Sequence, residues 1–113
     1  MHELSICGSI ADIVRRSAEG RRVETVHIRV GRLRQVVPDT LVYCWSLVVA
    51  DSPLEASVLE VESVPVRIQC RACETLTELD DLPILECRAC GSADVILVNG
   101  EEFLVTSLEL AEV

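Results

Sequence analysis

Four of the six cysteines are spaced for chemistry. Cys70-Arg71-Ala72-Cys73 is followed, after thirteen residues, by Cys87-Arg88-Ala89-Cys90. A C-x2-C pair curls into a tight knuckle that aims both sulfurs at one point, and two facing knuckles complete a tetrahedral four-sulfur site. Gly91 follows Cys90 and suits such a turn, where a positive φ is often needed. Glu74 stands in the same place after Cys73, which marks the first knuckle as the less regular one. Zinc is the expected metal. Iron in a rubredoxin-like site takes the same ligands, and disulfides or redox dithiols are the metal-free alternatives. The opening Met1-His2-Glu3 is unlike a signal-peptide start, which favours a reducing compartment and therefore zinc. Between the knuckles, Thr75 to Glu86 allow one short hairpin and no apolar core. The metal must then serve as core, and structural zinc contributes an apparent ~10–16 kcal/mol in small peptides.

The second candidate site is the N-terminus. A free amine at Met1, the His2 backbone nitrogen and the His2 imidazole can close two fused chelate rings around one ion, with a fourth donor from Glu3 or water. An all-nitrogen, near-planar set suits Ni(II) or Cu(II) far better than zinc or magnesium. Alone the signal is weak, because terminal residues are usually solvated and inert.

The elements that must position these residues are legible in period. Leu4 to Glu19 reads as an amphipathic helix with Ile6, Cys7, Ile10, Ile13, Val14 and Ser17/Ala18 on one face, Arg15 and Arg16 in its last turn and Gly20 as its stop. From Val23 to Leu33 the period is two, with Val26, Ile28 and Val30 facing a core, Glu24 a polar member of that row, and His27 and Arg29 opposite. Gly31 is placed to end or bend that strand. Pro38-Asp39-Thr40 suits a helix start, and the apolar run Leu41 to Ala50 continues it. Val58 to Val66 reads as a strand that Pro65 ends, and Phe103 to Leu110 as another, with Leu104, Thr106, Leu108 and Leu110 on one side. The strands on either side of the metal segment are expected to pair as an antiparallel ladder with the knuckles beyond its tip, making that segment an insertion.

Met1-His2-Glu3-Leu4-Ser5, a following helix and C-x2-C-x13-C-x2-C late in a chain of this length resemble the HypA/HybF family, the nickel-insertion accessory proteins of NiFe hydrogenase maturation. Val30-Gly31, Pro65 ahead of Cys70 and the closing Ser107-Leu108-Glu109 also look like its pattern. A departure is Arg32-Leu33-Arg34, where a small polar stretch is more usual. The resemblance covers essentially the whole chain. It implies a nickel metallochaperone, not an enzyme, with Met1, His2 and Glu3 on Ni(II) and Cys70, Cys73, Cys87 and Cys90 on Zn(II). It also implies a HypB-like GTPase and a hydrogenase large-subunit precursor as partners, with urease as another client. The expected fold class is α+β: a small mixed three-stranded sheet with two helices, and an inserted zinc-ribbon-like domain with a four-cysteine site. Residues 1–67 and 101–113 would form the nickel-binding domain, and residues 68–100 the zinc-binding one.

Composition narrows the rest. Half of the 113 residues are hydrophobic but only 3% aromatic, so aliphatic side chains must build the core. A net charge of −9 repels phosphate backbones and argues against nucleic acid. No apolar run reaches the length of a membrane span, and a cytoplasmic protein is expected; a homodimer stays open. Cys7 and Cys44 lie in apolar stretches and read as core thiols. His27 reads as a surface or interface histidine, with metal binding or pH sensing as its functional alternative. Glu78, Asp80, Asp81 and Glu86 read as solvating the knuckles, or as attracting a cationic metal or a basic patch. No phosphate-cradling glycine loop and no nucleophile–base set is visible. The rival classes are a plain zinc-ribbon interaction module without nickel transfer, and a dithiol oxidoreductase.

Overall fold

Apolar residues at helical spacing bury one side of helix α1, Glu3–Ala18: Ile6, Cys7, Ile10, Ala11, Val14 and Ala18 face inward. The computed structural model describes residues 3–79 and 84–111. Ile13 falls outside the buried stripe at 40% exposure, and Ser17 is exposed, so the face is narrower than its periodicity suggests. Strand β1, Val23–Gly31, follows, then a single 3-10 turn at Arg32–Arg34 in place of the last residues expected in the strand. Helix α2, Pro38–Val48, begins with proline in its first turn, where the missing N–H costs nothing. Val37 before it is extended, as the residue preceding a proline should be.

The first sheet has the order β2-β1-β6, with β2 Val58–Val64 parallel to β1 and β6 Phe103–Leu110 antiparallel to it. This is the mixed three-stranded sheet expected, but β2 and β6 do not form a ladder with each other. β1 lies between them. Its Val23, Val26, Ile28 and Val30 are all buried, and its backbone is paired along both edges. Helix α2 supplies the crossover that a parallel β1–β2 pair requires. β6 also departs from its expected alternation. His27 pairs with Ser107 and Ile28 with Val105, which leaves Thr106 as a bulge residue. The bulge flips the alternation, so Phe103, Val105, Leu108 and Leu110 pack on the core while Leu104 and Thr106 are exposed. α1 and α2 cover one face of this sheet through Ile6, Ile10, Leu41 and Trp45. The Trp45 indole N–H donates to Ser57 Oγ at 3.1 Å, and that hydroxyl donates to the Leu54 carbonyl, so the buried polar atoms are satisfied.

The second sheet has the order β4-β3-β5, with β3 Arg67–Cys70, β4 Leu76–Glu78 and β5 Val95–Asn99 all antiparallel. The hairpin therefore runs through the first knuckle, from β3 to β4, and is not confined to the segment between the cysteine pairs. A small cluster of Val66, Ile68 and Leu79, with Leu33, Val95 and Leu97 against it, packs under this sheet. The Cα radius of gyration is 17.3 Å, where one compact body of this length would have about 13 Å; the two sheets make an elongated molecule.

The junction between them is tight. Gly31 N–H donates to Glu102 O at 2.7 Å and Leu33 N–H to Gly100 O at 3.0 Å. Arg34 Nε donates to Glu101 O at 2.7 Å, and its guanidinium lies over the Phe103 ring. The residues of the Arg32-Leu33-Arg34 departure thus bind the junction, Leu33 by packing on the second cluster. A Cβ on Gly31 would sit 1.8 Å from the Gly100 carbonyl oxygen, a backbone atom that cannot swing aside. Gly31→Ala is expected to cost about 3 kcal/mol. Gly8→Ala, in the middle of α1 with nothing within 4 Å of the new methyl, should instead stabilise by about 1 kcal/mol. Urea unfolding of both variants checks the opposite signs; equal effects would mean that the junction yields.

Candidate metal centre

Each knuckle is built from a repeated set of backbone bonds. Glu74 N–H donates to Cys70 O at 2.9 Å and Gly91 N–H to Cys87 O at 2.8 Å. Cys70 N–H donates to Thr75 O, and Cys87 N–H to Ser92 O. The residue after each pair is left-handed, Gly91 at φ 75° and Glu74 at φ 63°. The first knuckle is therefore as regular as the second, contrary to expectation, with Glu74 carrying roughly 1–2 kcal/mol of backbone strain that Gly91 does not. β3 brings in Cys70 at its end, and Cys87 follows the described segment from Ile84.

The four sulfurs converge. The Sγ atoms of Cys70, Cys73, Cys87 and Cys90 all lie within 4.8 Å of one another. The Cys70–Cys90 and Cys73–Cys87 separations are both 3.6 Å. A tetrahedron with 2.3 Å zinc–sulfur arms has edges of about 3.8 Å, so the donor set fits such an ion in type, number and spacing. Cys70 and Cys87 are buried, Cys73 and Cys90 exposed, which leaves one side of the centre at the surface.

Electrostatics point the same way. The Thr75 hydroxyl and then its backbone N–H, followed by Cys87, bring the Cys73 thiol down to about 6. For Cys90, the Ser92 backbone N–H lowers the pKa, but the Cys70 and Cys73 sulfurs outweigh it and drive it up to about 12. One thiolate forms readily at Cys73, and Cys90 resists becoming a second. Only a cation can hold all four ionised. Sequence reasoning missed Thr75 and Ser92. Their signal is nonetheless present, since Cys-Arg-Ala-Cys-Glu-Thr and Cys-Arg-Ala-Cys-Gly-Ser put a hydroxyl residue two places after each pair.

The other candidates do not join this centre. Glu3 opens α1; Met1 and His2 lie outside the described residues, as do Asp80 and Asp81. Cys7 and Cys44 are buried in the first core, and the Cys7 thiol donates to Leu41 O at 3.4 Å. Burial, then Cys44 and Glu3, push Cys7 up to about 11, so it stays a protonated core thiol. Glu78 is ion-paired with Arg67 at 3.3 Å and Glu86 is exposed. His27 faces carboxylates on the open side of the first sheet. Among the described residues, no helix is long and apolar enough to cross a membrane.

The family model described as "Hydrogenase/urease nickel incorporation, metallochaperone, hypA" matches residues 1–110. The chain is 38% identical over 112 residues to the hydrogenase maturation factor HypA of Roseiflexus sp. (strain RS-1), covering 96% of this chain and 91% of that one. It is 38% identical over 114 residues to the hydrogenase maturation factor HypA of Geobacter metallireducens, covering 97% and 99%. In fold it is similar to the solution structure of the Ni metallochaperone HypA from Helicobacter pylori, with a TM-score of 0.68, 23% identity and 97% of each chain covered.

Proposed function

The chain belongs to the HypA family of hydrogenase/urease nickel-incorporation metallochaperones, and on that premise we propose that it holds Ni(II) exchangeably at its N-terminus and delivers it to a NiFe hydrogenase large-subunit precursor. It is a maturation factor, not an enzyme. Nickel is its cargo, and Met1, His2 and Glu3 are the residues we assign to it. Zn(II) is the resident ion, held by Cys70, Cys73, Cys87 and Cys90 to support the second sheet.

The observation that carries this reading is the extent of the family match. It runs from residue 1 to residue 110 and so takes in the opening tripeptide together with both knuckles. The chemistry agrees, because nitrogen donors at a chain end suit Ni(II), and four thiolates suit zinc. A site at a chain end can approach an acceptor and lose donors one at a time, as ligand exchange requires.

A HypB-like GTPase would supply the nucleotide-driven step, the chain itself having no phosphate-binding glycine loop in its sequence. The net charge of −9 favours protein partners over nucleic acid, and the assignment to the cytoplasm goes with that partnership. Self-association as a homodimer is compatible with this role. Residues 1–67 with 101–113 would be the nickel-binding part and residues 68–100 the zinc-binding part. The two separate apolar clusters support that division, with Val66 and Leu33 of the first part reaching into the second cluster.

The test is calorimetric titration of Ni(II) into zinc-loaded protein with a free Met1 amine. One nickel per chain is expected, removable by a competing chelator while zinc stays bound. No nickel uptake would leave a zinc-ribbon interaction module as the better reading; displacement of zinc by nickel would place the cargo at the cysteines.

A further inference from the structure

Both ring nitrogens of His27 face carboxylates. Nδ1 lies 3.3 Å from Glu60 Oε2 on β2, and Nε2 lies 3.0 Å from Glu109 Oε2 on β6. Neutral imidazole has one N–H and one bare nitrogen, so it can donate to one carboxylate while turning a lone pair toward the other. Imidazolium donates to both. His27 sits mid-way along the central strand, opposite Glu60 on one side and Ser107 on the other, and Glu109 reaches it diagonally from its place opposite Thr25. One side chain thus spans the whole sheet.

The remaining charges on this face are accounted for. Arg29, two residues along β1, is ion-paired with Glu62 of β2. Glu60 and Glu62 from β2, Glu109 from β6 and Arg29 from β1 are the described charged groups facing the ring; the helices pack on the opposite face. A shallow cleft of about 240 Å³, lined by His27, Glu60, Thr106 and Ser107 among others, keeps the ring open to solvent. Protons can reach it without any opening of the fold.

We propose that His27 is a proton-operated latch, tying both edge strands to the central strand when charged and, with a single N–H to share between the two carboxylates, loosening its hold on each when neutral. β2 and β6 are the strands by which the chain leaves for the second sheet and returns from it, so the latch sets how firmly those connections are held. Its two limits have opposite signs. The hydrogen bond from His27, with Thr25 adding to it, holds the Glu109 carboxyl below the usual carboxylate range. A depressed carboxylate contributes stability above its unfolded-state pKa and loses it as pH falls through the folded value. The second imidazolium bond is lost in the other direction, as pH rises and the ring gives up its proton. The latch is closed where the ring is protonated and Glu109 is ionised.

Amide hydrogen exchange on zinc-loaded protein at about pH 6 and about pH 8, expressed as protection factors to remove the intrinsic pH dependence, reads the latch directly. Protection along β2 around Glu60 and along β6 around Glu109 is expected to fall by roughly two- to fivefold at the higher pH. His27→Gln should abolish that difference. Glu60→Gln and Glu109→Gln should each abolish it on their own strand alone; both sites are exposed, so these variants decide the matter even if His27→Gln folds poorly. The only other histidine is His2, and His2→Ala should leave the difference intact. Equal protection at the two pH values in the wild type, or a difference that survives in His27→Gln, overturns the proposal.

Discussion

Replacing Cys87 by serine will remove stoichiometric zinc and unravel the second sheet while both helices stay folded. Cys87 is a buried member of the sulfur cluster, 3.6 Å from Cys73, and its own N–H closes the second knuckle on Ser92 O. Without the metal, the second sheet rests on Val66, Ile68 and Leu79. Three buried aliphatic side chains contribute roughly 5–9 kcal/mol. Zinc held by the four sulfurs would, at ~10–16 kcal/mol, be the largest single contribution to this lobe. The first lobe has a larger cluster of its own, running from Ile6 to Leu59. The single tryptophan reports on that lobe alone, because Trp45 is buried there with its N–H on Ser57 Oγ. Elemental analysis should fall from one zinc per chain to near zero, and amide protection in β3, β4 and β5 should vanish. Helical circular dichroism and Trp45 emission should barely move. Retained zinc would refute the four-sulfur site, and a red-shifted Trp45 would show that the two lobes do not fold separately.

Much of this architecture is written in local pattern. Period-four spacing from Ile6 to Val14, Pro38 at a helix start and alternation in β1 and β2 each depend on near neighbours, and these elements stand within a few residues of where their periods place them. The sulfur cluster is legible for the same reason, since two residues between cysteines fix a knuckle almost covalently. What pattern could not reveal is pairing. β2 and β6 alternate equally well, and which strand each adjoins depends on residues far apart in the chain. Nor does alternation announce a bulge, so Thr106 displaced the apolar row of β6 by one residue. Glu74 misled in another way. Glycine is the inexpensive residue for a positive φ, but the knuckle's own hydrogen bonds impose that conformation on glutamate too. Leu33 looked like the end of a strand and is a packing residue of the other lobe, a contact between distant parts of the chain.

His2→Ala should abolish tight nickel binding and leave folding untouched, and so should a quite different change, adding residues before Met1. The reason is covalent. In the proposed chelate the imidazole serves as a donor only while the Met1 amine stays free, because the two fused rings share the intervening backbone nitrogen. Alanine removes one donor; an N-terminal extension converts the amine into an amide, a far poorer ligand. Loss of an outer partner of a metal ligand alone costs ~10–100-fold in affinity, so loss of a donor from this small set should exceed about a hundredfold. His2 precedes α1, whose buried face begins at Ile6, and thermal unfolding should therefore be unchanged. The four sulfurs of the second lobe are remote in sequence, and zinc content should stay at one per chain in both variants. Calorimetry on the wild type, His2→Ala and an extended form, each zinc-loaded, separates the outcomes. Matching loss in the two altered forms supports a chelate that needs both the amine and the ring. Loss in His2→Ala alone would mean that the imidazole acts without the amine. Equal nickel binding in all three would move the site away from the N-terminus altogether.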